Sequence, residues 1–86
     1  QLKQALLLAR VLNEASKNFS TLSFQAIKNE AAAAFKKAPE FELEYFEIAD
    51  VDSLVPTSIK EPKKKYRAFI AAQLGGVRLI DNLELN

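Results

Sequence analysis

A chain of 86 residues with 49% hydrophobic and 27% charged residues has the make-up of one small globular domain, not of a disordered segment. At that size roughly 60–65% of the unfolded chain's surface can be buried, so the stability margin is thin. The absence of cysteine excludes a disulfide framework and a thiolate metal site and fits a reducing compartment; the absence of histidine removes the usual zinc ligand and the usual general base. A net charge of +1 gives no electrostatic case for nucleic acid. No apolar run approaches the roughly 20 residues of a membrane span, and no cleavage site follows the short run Ala5–Val11, so neither a membrane anchor nor a secretory signal is indicated. The chain holds no methionine and opens directly in helical pattern at Gln1, which suggests a fragment of a longer protein.

From Leu2 to about Asn18, apolar or small residues recur at Leu2, Ala5, Leu6, Ala9, Leu12 and Ser16, three and four apart, which predicts a helix. Leu7, Leu8 and Val11 widen the stripe, so more than one side should be covered. Lys3, Arg10 and Lys17 are the only cations of its polar face, too few for a membrane-surface helix, and core packing is the better account. Ser20 is expected to cap a second helix, whose apolar positions are Phe24, Ile27, Ala31, Ala34 and Phe35. Lys36 and Lys37 suit its carboxyl end, and Pro39 stops it.

After Pro39 the period changes to two. Leu43–Ala49 reads as a strand with Phe46 and Ile48 on one face, yet Glu42 and Glu44 share their parity. The strand therefore starts near Tyr45 or carries a bulge that resets its facing. Asp50 can cap a single helical turn over Val51–Leu54, closed by Pro56, and Thr57–Lys65 is expected to be an exposed loop. Tyr66–Leu74 is nearly continuous in apolar character, as a central strand would be. Gly75-Gly76 then suits a tight turn needing positive φ at one or both residues, leading into a third strand, Val77–Asn82. The fold class is α+β: two antiparallel helices, then a small three-stranded antiparallel sheet with one short helical turn between its first two strands, the helices covering one face.

Two blocks carry a more specific likeness. One is Tyr45-Phe46-Glu47-Ile48-Ala49-Asp50 continued by Ser53-Leu54-Val55-Pro56; the other is Leu74-Gly75-Gly76-Val77-Arg78-Leu79-Ile80-Asp81-Asn82. In order and spacing they resemble the carboxyl-terminal end of the pantothenate synthetase family, with a Y-x-E-I-x-D strand, an x-x-L-x-P segment and a closing L-G-x-x-R-L-I-D-N hairpin. The resemblance spans essentially the whole chain and makes residues 1–86 the C-terminal lid domain of such an enzyme. It implies a cytoplasmic, AMP-forming ligase that adenylates pantoate with ATP and magnesium, after which β-alanine attacks the mixed anhydride. It further implies, as partner, an N-terminal nucleotide-binding domain carrying an H-x-G-H-like motif and a K-M-S-K-S-like loop, through which the parent enzyme forms a homodimer. Neither motif is in this chain, so the chain alone is expected to be inactive and to bind neither ATP nor magnesium.

No residue here is assigned a catalytic, cofactor-binding or metal-binding role. Glu47 and Asp50 are poor candidates for paired acids, lying on opposite faces of a strand end with no histidine nearby; Asp50 reads better as a cap. Asp81 or Asn82 is expected to satisfy backbone groups near the end of the last strand, with Arg78 available for a pair across the sheet. Lys60, Lys63, Lys64 and Lys65 form the one basic cluster. The default reading is a solvated loop; the functional reading makes Lys63, Lys64 and Lys65 substrate-side lid residues that meet ATP phosphates on closure. Tyr66 beside them suggests a base-stacking aromatic only weakly and reads better as the start of the central strand. The rival to the ligase lid is a free-standing α+β interaction module for a protein or single-stranded RNA.

Overall fold

The structure is a computed structural model that describes residues 2–86, with side chains described from residue 6 onward. Gln1 lies outside the described residues, and the side chains of Leu2, Lys3 and Ala5 lie outside the described side chains. The elements are α1 (Leu2–Lys17), α2 (Phe24–Lys36), β1 (Phe41–Asp50), β2 (Tyr66–Leu74) and β3 (Val77–Glu84), with the strands in the antiparallel order β1-β2-β3. Helix α1 packs on β3 and β2, and α2 packs on β1, all from one side of the sheet. Ser16 near the end of α1 donates its hydroxyl to the Leu85 carbonyl at 3.5 Å, while Phe35 near the end of α2 meets Phe41 at the opposite end of the sheet, ring centroids 5.8 Å apart. The two helices therefore run in opposite directions.

The buried face of α1 is Leu7, Leu8, Val11, Leu12 and Ala15, whereas Leu6 is 63% exposed. The face is thus rotated from the expected stripe towards its widened flank. Leu8, Val11, Leu12 and Ala15 keep the same i, i+3, i+4, i+7 spacing, but Leu8 and Val11 offer larger apolar side chains than Ala9 and Ser16, and burial favours apolar area. Helix α2 buries Phe24, Ile27, Ala31 and Phe35, as its pattern predicts. Its cap is Ser23, not Ser20: the Ser23 hydroxyl accepts from the Ala26 amide at 3.1 Å. The chain at Ser20 is still turning, because the Thr21 and Leu22 amides bond back to the Asn18 carbonyl at 3.2 and 2.9 Å.

The parity conflict in β1 is resolved by a bulge. Leu43 lies opposite Ala72 and Tyr45 opposite Ala71, so Glu44 is the extra residue. Phe41 and Leu43 before it, and Phe46 and Ile48 after it, then all reach the helix-covered core. Strand β2 is central, with Tyr66, Ala68, Ile70 and Ala72 buried on the covered side and Ala71 buried on the other. Strands β1 and β3 begin or end two residues beyond their expected limits. Between β2 and β3 only Gly75 takes a left-handed φ, 61°.

Candidate functional site

The basic loop sits at the end of the sheet where β1 stops and β2 starts. Its floor is Tyr66, 1% exposed, whose ring packs edge-on against Phe24 at 5.0 Å and near Phe19 at 6.0 Å. The aromatic body is held by α1, α2 and the turn between them, while the phenol oxygen emerges into the loop. There it accepts from the Glu61 amide at 2.8 Å and donates to the Ile59 carbonyl at 3.4 Å. Buried this deeply, the Tyr66 ring cannot present a face to a nucleobase.

Three further ties hold the same loop. Asp50 Oδ1 accepts from the Asp52 amide at 2.7 Å and the Ser53 amide at 3.3 Å, and the Leu54 amide closes a single helical turn on the Asp50 carbonyl at 2.8 Å. Its other oxygen lies 3.3 Å from Lys64 Nζ, which also pairs with Glu61 at 3.5 Å. The Asp52 amide above all, helped by Ser53 and Lys64, holds the Asp50 carboxyl below the usual range. The hydrogen bond to Asp50, with the Glu61 charge, raises the Lys64 ammonium above its ordinary value. Asn86 braces the far side, its side chain accepting from the Tyr66 amide at 2.9 Å and donating to the Lys64 carbonyl at 2.8 Å.

The lysines therefore have separate fates. Lys60 bonds the carbonyls of Phe19 and Leu22, the latter at 3.0 Å, and its ammonium lies 4.6 Å from the centre of the Phe19 ring. It tethers the loop to the α1–α2 connection, a role invisible to sequence spacing because the partners are 38 and 41 residues away. Lys64 is engaged by Asp50 and Glu61. Lys65 Nζ lies 3.4 Å from the Asn86 carbonyl oxygen. Lys63 has a left-handed φ of 69° and no hydrogen bond or ion pair among the described residues. A shallow depression of about 210 Å³, lined by Asp50, Thr57, Glu61, Lys64 and Tyr66 among others, opens beside them.

Glu47 and Asp50 make no acid pair, for Glu47 turns to Lys28 at 3.5 Å. On the uncovered face of the sheet, Arg78 Nε reaches the bulge residue Glu44 at 3.0 Å, and Gln73 bonds the same carboxylate at 2.7 Å. Gln73 first, then Arg78, hold the Glu44 carboxyl below its usual range. Asn82 accepts from Arg67, and Asp81 Oδ1 accepts from the Asn82 amide at 2.8 Å. The Arg78-to-Asn82 string is thus used in tying the sheet together. Among the described residues no three side chains of His, Cys, Asp or Glu converge as metal ligands would. No described helix is long and apolar enough to cross a membrane.

With this geometry in view, comparison with known proteins is specific. The family model for pantoate–β-alanine ligase matches residues 1–84. The pantothenate synthetase of Christiangramia forsetii is 45% identical over 84 residues, which cover 98% of this chain and 30% of that protein. The pantothenate synthetase of Flavobacterium psychrophilum is 40% identical over 82 residues, covering 95% of this chain and 29% of that protein. The crystal structure of pantothenate synthetase from Thermus thermophilus superposes with a TM-score of 0.81 at 28% identity, over 96% of this chain and 30% of that one. The chain thus spans about 30% of the length of the relatives it matches.

Proposed function

The chain belongs to the pantoate–β-alanine ligase family, and from that premise we propose that it is the C-terminal lid domain of an ATP-dependent enzyme joining pantoate to β-alanine. In that reaction the pantoate carboxylate attacks the α-phosphorus of ATP and displaces pyrophosphate. The β-alanine amine then attacks the acyl carbon, releasing AMP and leaving pantothenate. The observation that carries the reading is the family match over residues 1–84 in a chain that covers only about 30% of its relatives. That match also favours the ligase over a free-standing interaction module.

An acyl-adenylate hydrolyses readily, so a domain that closes over it protects the intermediate by excluding water. A rigid loop is suited to this role, because its groups arrive already ordered. Lys63, Lys64 and Lys65 are the proposed phosphate-facing residues, with Lys63 the freest to form a new contact. ATP and its metal ion are assigned in this proposal to the N-terminal nucleotide-binding part of the parent enzyme, as are catalysis and dimerisation, and the proposed location of that enzyme is cytoplasmic.

The test is AMP release from ATP, pantoate and β-alanine. The parent enzyme should turn over and the 86-residue chain should not. In the parent, K63A with K65A should raise the KM for ATP or lower kcat by on the order of tenfold, since charge-assisted contacts are worth about 1–3 kcal/mol. Both constants within twofold of the parent would reduce the loop to a solvated one.

A further inference from the structure

The segment after Asp50 carries three large aliphatic residues in six positions, Leu54, Val55 and Ile59, and they are 63%, 59% and 65% exposed. Single exposed apolar residues are ordinary on any surface. These three fall close together in a single connection outside helix and strand, and their backbone is nonetheless held. Leu54 is fixed by the Asp50 carbonyl, the Val55 amide by the Ser53 hydroxyl at 3.3 Å, and the Ile59 amide by the Thr57 hydroxyl at 3.2 Å. Between them, the Thr57 amide bonds the Ile48 carbonyl at 2.9 Å and Pro56 lies against Ala49 along the outer edge of β1.

Leu54 is also held at a left-handed φ of 59°. A side chain with a β-carbon resists that conformation, and within this chain Leu54 recovers little through burial. An apolar segment ordered in advance loses little entropy when a partner covers it. The family relatives supply the occupant, since roughly 70% of their length lies outside the region matched here, 30% being covered.

We propose that Leu54, Val55 and Ile59 are the seat on which the remainder of the parent chain docks, beside the basic loop. The inference rests on the chain being part of a longer family member, and not on the lysines contacting phosphate. Docking at this seat fixes the angle at which the loop meets the rest of the enzyme.

Carbene footprinting read by mass spectrometry compares the parent enzyme with the 86-residue chain. Labelling of residues 54–59 should be at least fivefold lower in the parent; equal labelling overturns the proposal. L54G separates docking from folding, because glycine accepts the left-handed backbone and removes the side chain. The 86-residue variant should melt no lower than its parent chain, while L54G with I59S in the full enzyme should restore labelling at least threefold. If protection vanishes when the enzyme is diluted to monomers, the seat belongs to a contact between copies and the proposal fails. A protected seat in an enzyme without ligase activity would sink the functional reading alone, and an active ligase with an open seat would sink this one alone.

Discussion

The sheet has two connections between antiparallel neighbours, and they are built on opposite principles. Residues Gly75 and Gly76 carry β2 into β3 in the shortest way such strands allow. Residues 51–65 carry β1 into β2, joining strands of the same kind with fifteen residues, and almost every turn of that path is fastened. Topology needs no more than the first kind. Long connections with defined internal structure are where binding elements are commonly found. The contrast argues that the sheet and helices act as a mount, and that the loop is what they present.

The largest expected effect comes from Tyr66, which serves both mount and loop. Tyr66→Ala removes a ring packed between Phe19 and Phe24 and should destabilise the domain by about 3–5 kcal/mol. Tyr66→Phe keeps the ring and deletes the oxygen shared by Glu61 and Ile59, for a loss of about 1 kcal/mol. Urea unfolding measures both. If the two variants unfolded alike, the loop would draw its order from the phenol, and the division between mount and loop would fail.

The short connection gives a smaller and cleaner effect. An added β-carbon at either glycine meets nothing within 4 Å, so only backbone strain is at stake. Gly75, at φ 61°, should lose about 1 kcal/mol on replacement by alanine. Gly76→Ala should unfold within about 0.5 kcal/mol of the parent. Equal losses at the two positions would mean that the turn needs positive φ at both.

The mount was largely legible in the sequence and the loop was not, for a physical reason. Helix and strand periods, the two-glycine turn and the parity break at Glu44 are local signals, decided within a few residues. Even there, the cap expected at Ser20 and found at Ser23 shows that a hydroxyl cannot be assigned to a cap without knowing where the chain is still turning. Asp50 as a cap was readable because its partners Asp52 and Ser53 follow at once. Lys60 on the Phe19 and Leu22 carbonyls was not, nor was Asn86 on Tyr66 and Lys64, because those contacts span 20 to 41 residues. Charge clustering grouped Lys63, Lys64 and Lys65 as one set of lid candidates beside Lys60, whereas the structure gives each of the four lysines a different setting.

The smallest expected effect asks how much of the loop's order is charge. The Asp50 carboxyl is held below its ordinary value of 3.8, so its folded state favours the ionised form. That contribution is complete above about pH 3.8 and disappears as the pH falls through the lowered folded value. Asp50→Asn keeps an oxygen that can cap the Asp52 amide but carries no charge for Lys64. At pH 7 the variant should melt slightly lower than the parent, and added salt should narrow the gap by screening the Lys64 pair. Once the pH is below that lowered folded value the two melting curves should converge, since both side chains are then neutral in the folded and the unfolded chain. The lowered Glu44 carboxyl titrates in both proteins and cancels in the difference. A gap that persisted unchanged into acid would mean that the amide geometry, and not the carboxylate's charge, sets the start of the long connection.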